Sequence, residues 1–166
     1  MLSLQRWFSR SKRMRSVDVI LRDNTHHVVT LHGSDGGDPC VAAGPVTSLA
    51  ADQAPETLGA AIREGLRLST HKYPFPKNQD DWKRVQQPLL AATKSKSWAA
   101  VAKRGSSLRI DHQGSMLQLS PSVRGPKGAF VPVAERHRTL QSPTDAELGR
   151  LVMDELAFAL ARDGTA

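Results

Sequence analysis

The residues best equipped for chemistry come early in the chain: His26, His27 and His32, followed by Asp35, Asp38 and Cys40. Imidazole, carboxylate and thiolate are the groups that ligate zinc and related ions. His27 and His32 lie five residues apart in a segment of strand character, so they point to opposite faces. The stretch from Asp35 to Asp38 lacks the alternating oxygen ligands and closing glutamate of a calcium loop. Solvated hairpin ends explain these side chains better, and neither a metal nor a cofactor is expected. Nucleophilic catalysis finds no support. There is no Gly-x-Ser-x-Gly elbow and no catalytic signature around Cys40. Gly125-Pro126-Lys127-Gly128 does not follow the phosphate-cradling pattern. The expectation is a protein that is not an enzyme.

Charge is the second chemical signal. The 166 residues carry 23 Lys and Arg against 16 Asp and Glu, a formal net charge of +7. From Lys72 to Arg109 nine basic residues face only Asp80 and Asp81, and Tyr73, Phe75, Trp82 and Trp98 are interleaved. Basic residues with interleaved aromatics are what a single-strand nucleic-acid binder uses. Trp82 and Trp98 also belong to an apolar periodicity, which places them in a core instead. A small basic nucleic-acid-binding protein is therefore kept as the alternative reading.

The elements that must position these groups can be read in order. Val17 to Arg22 is β-branched and apolar, Asp23-Asn24-Thr25 supplies a turn, and His27 to Leu31 returns as the second strand of a hairpin. Gly33 to Pro39 is a loop, and Cys40 to Leu49 holds one short strand. Pro55 opens a helix whose stripe is Leu58, Ala61, Ile62 and Leu66. Gly59 and Gly65 each cost that helix roughly 1 kcal/mol relative to alanine, which implies close packing at those points. His71 to Lys77, with Pro74 and Pro76, forms an extended crossing.

Trp82, Val85, Leu89 and Leu90 predict a short helical region interrupted near Pro88, and Trp98 to Arg104 another turn or two. Leu108 to Ile110 and Met116 to Leu119 form a second hairpin across a loop, Asp111 to Ser115. Phe130 to Val133 carries a proline and belongs at a sheet edge. The last helix is expected to be capped by Ser142, with Pro143 in its first turn and a stripe of Leu148, Leu151, Val152, Leu156, Ala159 and Leu160, stopping at Gly164. Its Asp154 and Glu155 make it acidic. Pro55 to Gly59 is echoed by Pro143 to Gly149, each ending in Leu-Gly, so both helices should dock by similar faces on one sheet.

Length and composition agree with one domain. At 39% apolar residues and a single cysteine, the chain can bury a core without disulfides. Residues 1–16, with Arg6, Arg10, Lys12, Arg13 and Arg15, read as a basic, flexible leader, and 17–164 as the folded unit. No stretch is apolar enough to span a membrane. The fold class is α+β, an antiparallel sheet built from hairpins with helices packed against it.

From about Val17 to Ala159 the chain resembles the CdiI-type immunity proteins of bacterial contact-dependent growth inhibition systems. The residues that carry the resemblance are Pro55-Glu56-Thr57-Leu58-Gly59 with Ile62, Leu66 and Ser69, then Trp82, Pro88-Leu89-Leu90 and Lys96-Ser97-Trp98. Ser142-Pro143, Glu147-Leu148-Gly149 and Leu156 complete the order. The resemblance implies a cytoplasmic protein that binds the C-terminal toxin domain of a cognate effector, commonly a nuclease, in a one-to-one complex. It implies no membrane and no direct nucleic-acid contact. The matching residues are packing residues, so no functional residue is carried over. The strong positive charge departs from what an inhibitor of a nuclease should show.

An inhibitory surface must be exposed and able to bond a partner. The segment from Tyr73 to Arg84 meets that description, with Tyr73 as an amphipathic anchor and Lys77, Asp80, Asp81, Lys83 and Arg84 crowded beside it. Asp154 and Glu155 are the second candidates.

Overall fold

In a computed structural model of the chain, the described residues are 13–125 and 128–163. Most of the basic leader, the centre of the Gly125–Gly128 loop and the expected stop at Gly164 lie outside them. The first hairpin joins β1 (Arg15–Arg22) to β2 (Thr25–Leu31) through Asp23 and Asn24. Both turn residues have positive φ, 47° and 57°, as a two-residue turn matched to strand twist requires. A second hairpin joins β4 (Gly105–Gln113) to β5 (Met116–Arg124). Its loop is shorter than expected: only Gly114, at φ 68°, and Ser115 lie between the paired ends Gln113 and Met116.

Strand β1 pairs β2 on one side and β4 on the other, all antiparallel. A short β3 (Val46–Ala50) borders β2. At the far edge β5 pairs with β6 (Phe130–Pro132) and, further along, with β7 (Arg138–Gln141). The sheet therefore has seven strands in the order β3-β2-β1-β4-β5, with β6 and β7 sharing the last edge. The proline-bearing β6 sits at an edge, where its missing N–H costs no ladder bond. β7 has no counterpart in the sequence reading, because Arg138-Thr139-Leu140-Gln141 offers one apolar residue and no alternation.

Alternation along the strands separates two faces. Val17, Val19 and Leu21 of β1, Val28 of β2, Leu108 and Ile110 of β4, and Leu117 and Leu119 of β5 share one face. Against it lie α1 (Pro55–Leu68) and α4 (Asp145–Asp163), which contribute Leu58, Ile62, Leu66, Leu148, Val152 and Leu156. The two Leu-Gly echoes meet each other. A Cβ built on Gly59 would overlap the backbone of Asp145, and one on Gly149 would overlap the carbonyl oxygen of Pro55. Each helix thus rests its glycine on the first turn of the other, and Arg63 locks the crossing by binding Asp145 and the Pro143 carbonyl.

The opposite face carries Ile20 and Val29, covered by α2 (Gln79–Ala92) through Leu89 and by α3 (Trp98–Lys103) through Val101. Three expectations need correction here. α2 is continuous: Pro88 is exposed, so its one missing N–H bond lies on the water side and Leu89 still holds the helix to the sheet. α4 is capped by Thr144 rather than Ser142. The Glu147 amide donates to Thr144 Oγ1 at 3.2 Å and the Thr144 amide to Glu147 at 2.7 Å, a reciprocal capping box. Trp82 leaves the core, being 37% exposed, whereas Trp98 is half-buried beside the small cluster and edge-on to Phe130 at 5.9 Å.

Candidate partner-binding surface

The extended crossing after α1 is pinned to the loop that follows β2. The Gly33 amide donates to Thr70 O at 2.7 Å, the Tyr73 amide to Gly33 O at 3.0 Å, and Ser34 Oγ to Tyr73 O at 2.7 Å. Tyr73 is half-buried, its ring stacked on His32 at 5.2 Å and 21°. His32 is fixed in turn: Nε2 lies 2.6 Å from Gly44 O and Nδ1 3.1 Å from Thr70 Oγ1. Tyr73 thus helps pin the strap while it also lines the groove beside it.

The strap continues through Pro74 and buried Pro76, and between them Phe75 is thrown outward, 51% exposed. Trp82, one turn into α2, meets it edge to face at 5.8 Å. Two large aromatic rings side by side in solvent, on a frame held by backbone bonds, form an apolar patch with a reason to exist. Beside them a groove of about 400 Å³ is lined by Tyr73, Phe75, Lys77, Asp81, Arg84 and Val85. Phe75 and Trp82 are the exposed aromatic pair, which the sequence shows only as aromatics interleaved with basic residues. The signal available was the Pro-Phe-Pro triplet, which leaves the middle side chain no helix or strand to pack into.

Of the charged residues proposed from sequence, Lys77, Asp81 and Arg84 line the groove beside this pair, and several are already engaged. Asn78 caps α2 by accepting the Asp81 amide at 2.9 Å, and Asp81 accepts the Lys77 amide at 3.1 Å. Asp80 pairs with Lys83 at 3.5 Å and Asp81 with Arg84 at 3.6 Å, each one turn apart. Tyr73, Lys77, Asp81 and Arg84 line the groove, Asp80 and Lys83 lie exposed in the first turns of α2 outside its lining, and Asp81 is committed to the helix start.

The second candidate fails in part. Asp154 is exposed, but Glu155 is 2% exposed and faces inward. Arg136 binds both of its oxygens, at 2.8 and 3.0 Å, and Arg138 lies 3.7 Å away. Arg136 also stacks on Phe158 at 3.9 Å. Glu155 sits on the buried stripe of α4, seven residues after Leu148, and serves to bind the segment before β7 to the helix.

The early histidines do not converge. His26 and His32 lie on the face of α1 and α4, and His27 on the other, where its Nδ1 is 2.8 Å from Ser48 Oγ. Among the described residues no three His, Cys, Asp or Glu side chains are grouped to hold a metal. On the same face as His27, Asp18 binds Arg109 at 3.0 and 3.3 Å, and Ser16 Oγ donates to Asp111 at 2.5 Å. Burial pushes the Asp111 carboxyl above the usual range. No helix among the described residues is long and apolar enough to cross a membrane.

No protein-family model matches the chain, and no curated protein sequence matches it. Two solved structures share its fold along nearly the whole length. One is the protein of unknown function NMB0488 from Neisseria meningitidis, with a TM-score of 0.67 and 22% identity, covering 92% of this chain and 97% of that one. The other is a chain of the CdiA-CT/CdiI toxin and immunity complex from Yersinia pseudotuberculosis, with a TM-score of 0.65 and 15% identity, covering 92% and 98%. The chain therefore shares the α+β fold of these two proteins over 92% of its length.

Proposed function

We propose that this chain is an immunity protein that binds the toxin domain of a cognate contact-dependent growth inhibition effector in the cytoplasm and neutralises it by one-to-one occlusion. The observation that carries this reading is the likeness, over 92% of this chain, to a chain of a toxin and immunity complex. The exposed surface is consistent with it. Phe75 and Trp82 supply the aromatic centre, and Lys77, Asp80, Lys83 and Arg84 a polar rim, the arrangement that binding surfaces use. Binding rather than catalysis is the activity this reading assigns, with no cofactor.

The test is co-purification of the chain with the toxin domain encoded beside it, followed by a nuclease assay and a titration of the two proteins. Trp82→Ala and Phe75→Ala should each weaken the complex by roughly 30-fold or more, as expected where a buried aromatic anchor is lost. Both variants should keep the parent melting temperature, since neither ring belongs to a core cluster. A complex that forms normally with both variants would place the interface elsewhere on the molecule. Failure of any complex to form would remove the immunity reading.

A further inference from the structure

The sign of the charge is the feature that the inhibitor reading leaves open, and the structure shows where the unspent charge lies. The two acids on the aromatic surface have partners already, Lys83 and Arg84, and Asp81 also serves the helix cap. At the other end of the strap the balance is reversed. A groove of about 820 Å³ runs between the strap and the tip of the β4–β5 hairpin, lined by Arg13, Arg15, His71, Lys72 and His112 together with Ser69. Arg15 is held there by donating to the Arg67 carbonyl at 3.3 Å. Arg13 and Lys72 are exposed, and among the described residues neither has an acid within ion-pair distance.

This groove is continuous with the aromatic surface. Arg13, His71 and Lys72 also border Tyr73 and Pro74, with Asp35 as the one acid on that stretch, and Tyr73 and Pro74 border Phe75. The track therefore runs from an aromatic pair to a row of uncompensated cations. A nucleic acid is the poorer occupant. Its phosphates would pass Asp81, which lines the groove beside the aromatic pair. An apolar centre, mixed charges and then a basic extension is a protein-binding pattern.

Resting on the inhibitor reading, the geometry points to a toxin that presents a carboxylate-rich segment beside the pocket taking Phe75 and Trp82, with that segment lying in the Arg13–Lys72–His112 groove. The excess of cations on an inhibitor then has a purpose: it steers an acidic flank of the partner, outside any basic substrate cleft, onto the aromatic pair.

The test is the association rate of the full chain with the neighbouring toxin domain, measured at roughly 50 and 500 mM salt, where screening lengths differ about threefold. The rate should fall with added salt. The double variant Arg13→Glu, Lys72→Glu should slow it by about tenfold at low salt and much less at high salt. Asp80→Asn, which removes a like charge from the path of an acidic segment, should speed it at low salt. An unchanged rate in the double variant, or a rate that rises with salt, overturns this assignment while the complex itself stands. If a fluorescein-labelled oligouridylate binds the chain and loses affinity in the same variant, the groove is a phosphate track and the assignment is likewise overturned. If no complex forms, the inhibitor reading fails, and this inference with it. Circular dichroism of both variants keeps folding defects separate, because every substituted side chain is exposed.

Discussion

His26 is a polar side chain in an apolar position. It is 2% exposed, lies opposite Leu21 and Leu49 in the sheet, and its Nδ1 has no hydrogen-bond partner. Burial lowers its pKa from the ordinary value near 6.5. His27 is lowered as well, by burial first and then by Arg22 and His26, with Asp23 opposing. Well above pH 6.5 both rings are neutral whether the chain is folded or not. Below it the unfolded chain takes up protons that the folded one resists, so stability should fall as pH drops towards the folded values. Urea unfolding at about pH 7.5 and about pH 5.5 measures this, and His26→Leu should reduce the difference. An undiminished pH dependence in that variant would transfer the effect to other groups. Glu155 teaches the complementary lesson. Its composition reads as a solvent-facing acid, yet the spacing Leu148, Val152, Glu155, Ala159 already puts it on the buried stripe. Arg136→Ala should cost roughly 2–4 kcal/mol by equilibrium denaturation, somewhat below the usual penalty for orphaning a buried charge because Arg138 remains nearby.

At the level of elements, the hairpins and the α1–α4 pair were legible because local chemistry and tertiary need agree. Asp23-Asn24 suits a tight turn, and the two Leu-Gly echoes mark where backbones touch. Gly149→Ala should therefore destabilise by more than about 2 kcal/mol, since the atom in the way is a backbone carbonyl that cannot rotate aside. Leu148→Ala should cost about 2–5 kcal/mol, the range for emptying a buried leucine site. A loss below about 1 kcal/mol for Leu148 in chemical denaturation would mean that the pocket collapses without strain. What stayed illegible depended on partners distant in sequence. β7 exists because β5 offers an open edge, not because its residues favour a strand. Continuity of α2 through Pro88 depends on which side of the helix faces water, and that is set by Ile20 and Val29 across the sheet. The candidate surface was half legible for the same reason: the charged residues declared themselves by type, whereas Phe75 and Trp82 are informative only because the described residues leave both partly exposed.

The whole molecule has two unequal cores on the two faces of one sheet. The larger joins α1 and α4 to four strands, and the smaller has Ile20, Val29, Leu89 and Val101 at its centre. α2 buries only Val85 and Leu89 among its fourteen residues, so its local opening should cost far less than global unfolding. Hydrogen exchange of the free chain should then show β1, β4, α1 and α4 exchanging last and together, with the strap and α2 exchanging earlier. The layer expected to open first is thus the one that carries the aromatic pair, and a partner seated there would hold it closed. In the complex, amides of residues 73–85 should slow markedly, while those of the α1–α4 layer, already limited by global unfolding, should slow only through the overall gain in stability. Equal slowing in both layers, with nothing extra at 73–85, would mean that the proposed toxin partner binds outside this surface. Protection concentrated at 105–113 and 138–141 would direct attention to the far edge of the sheet instead.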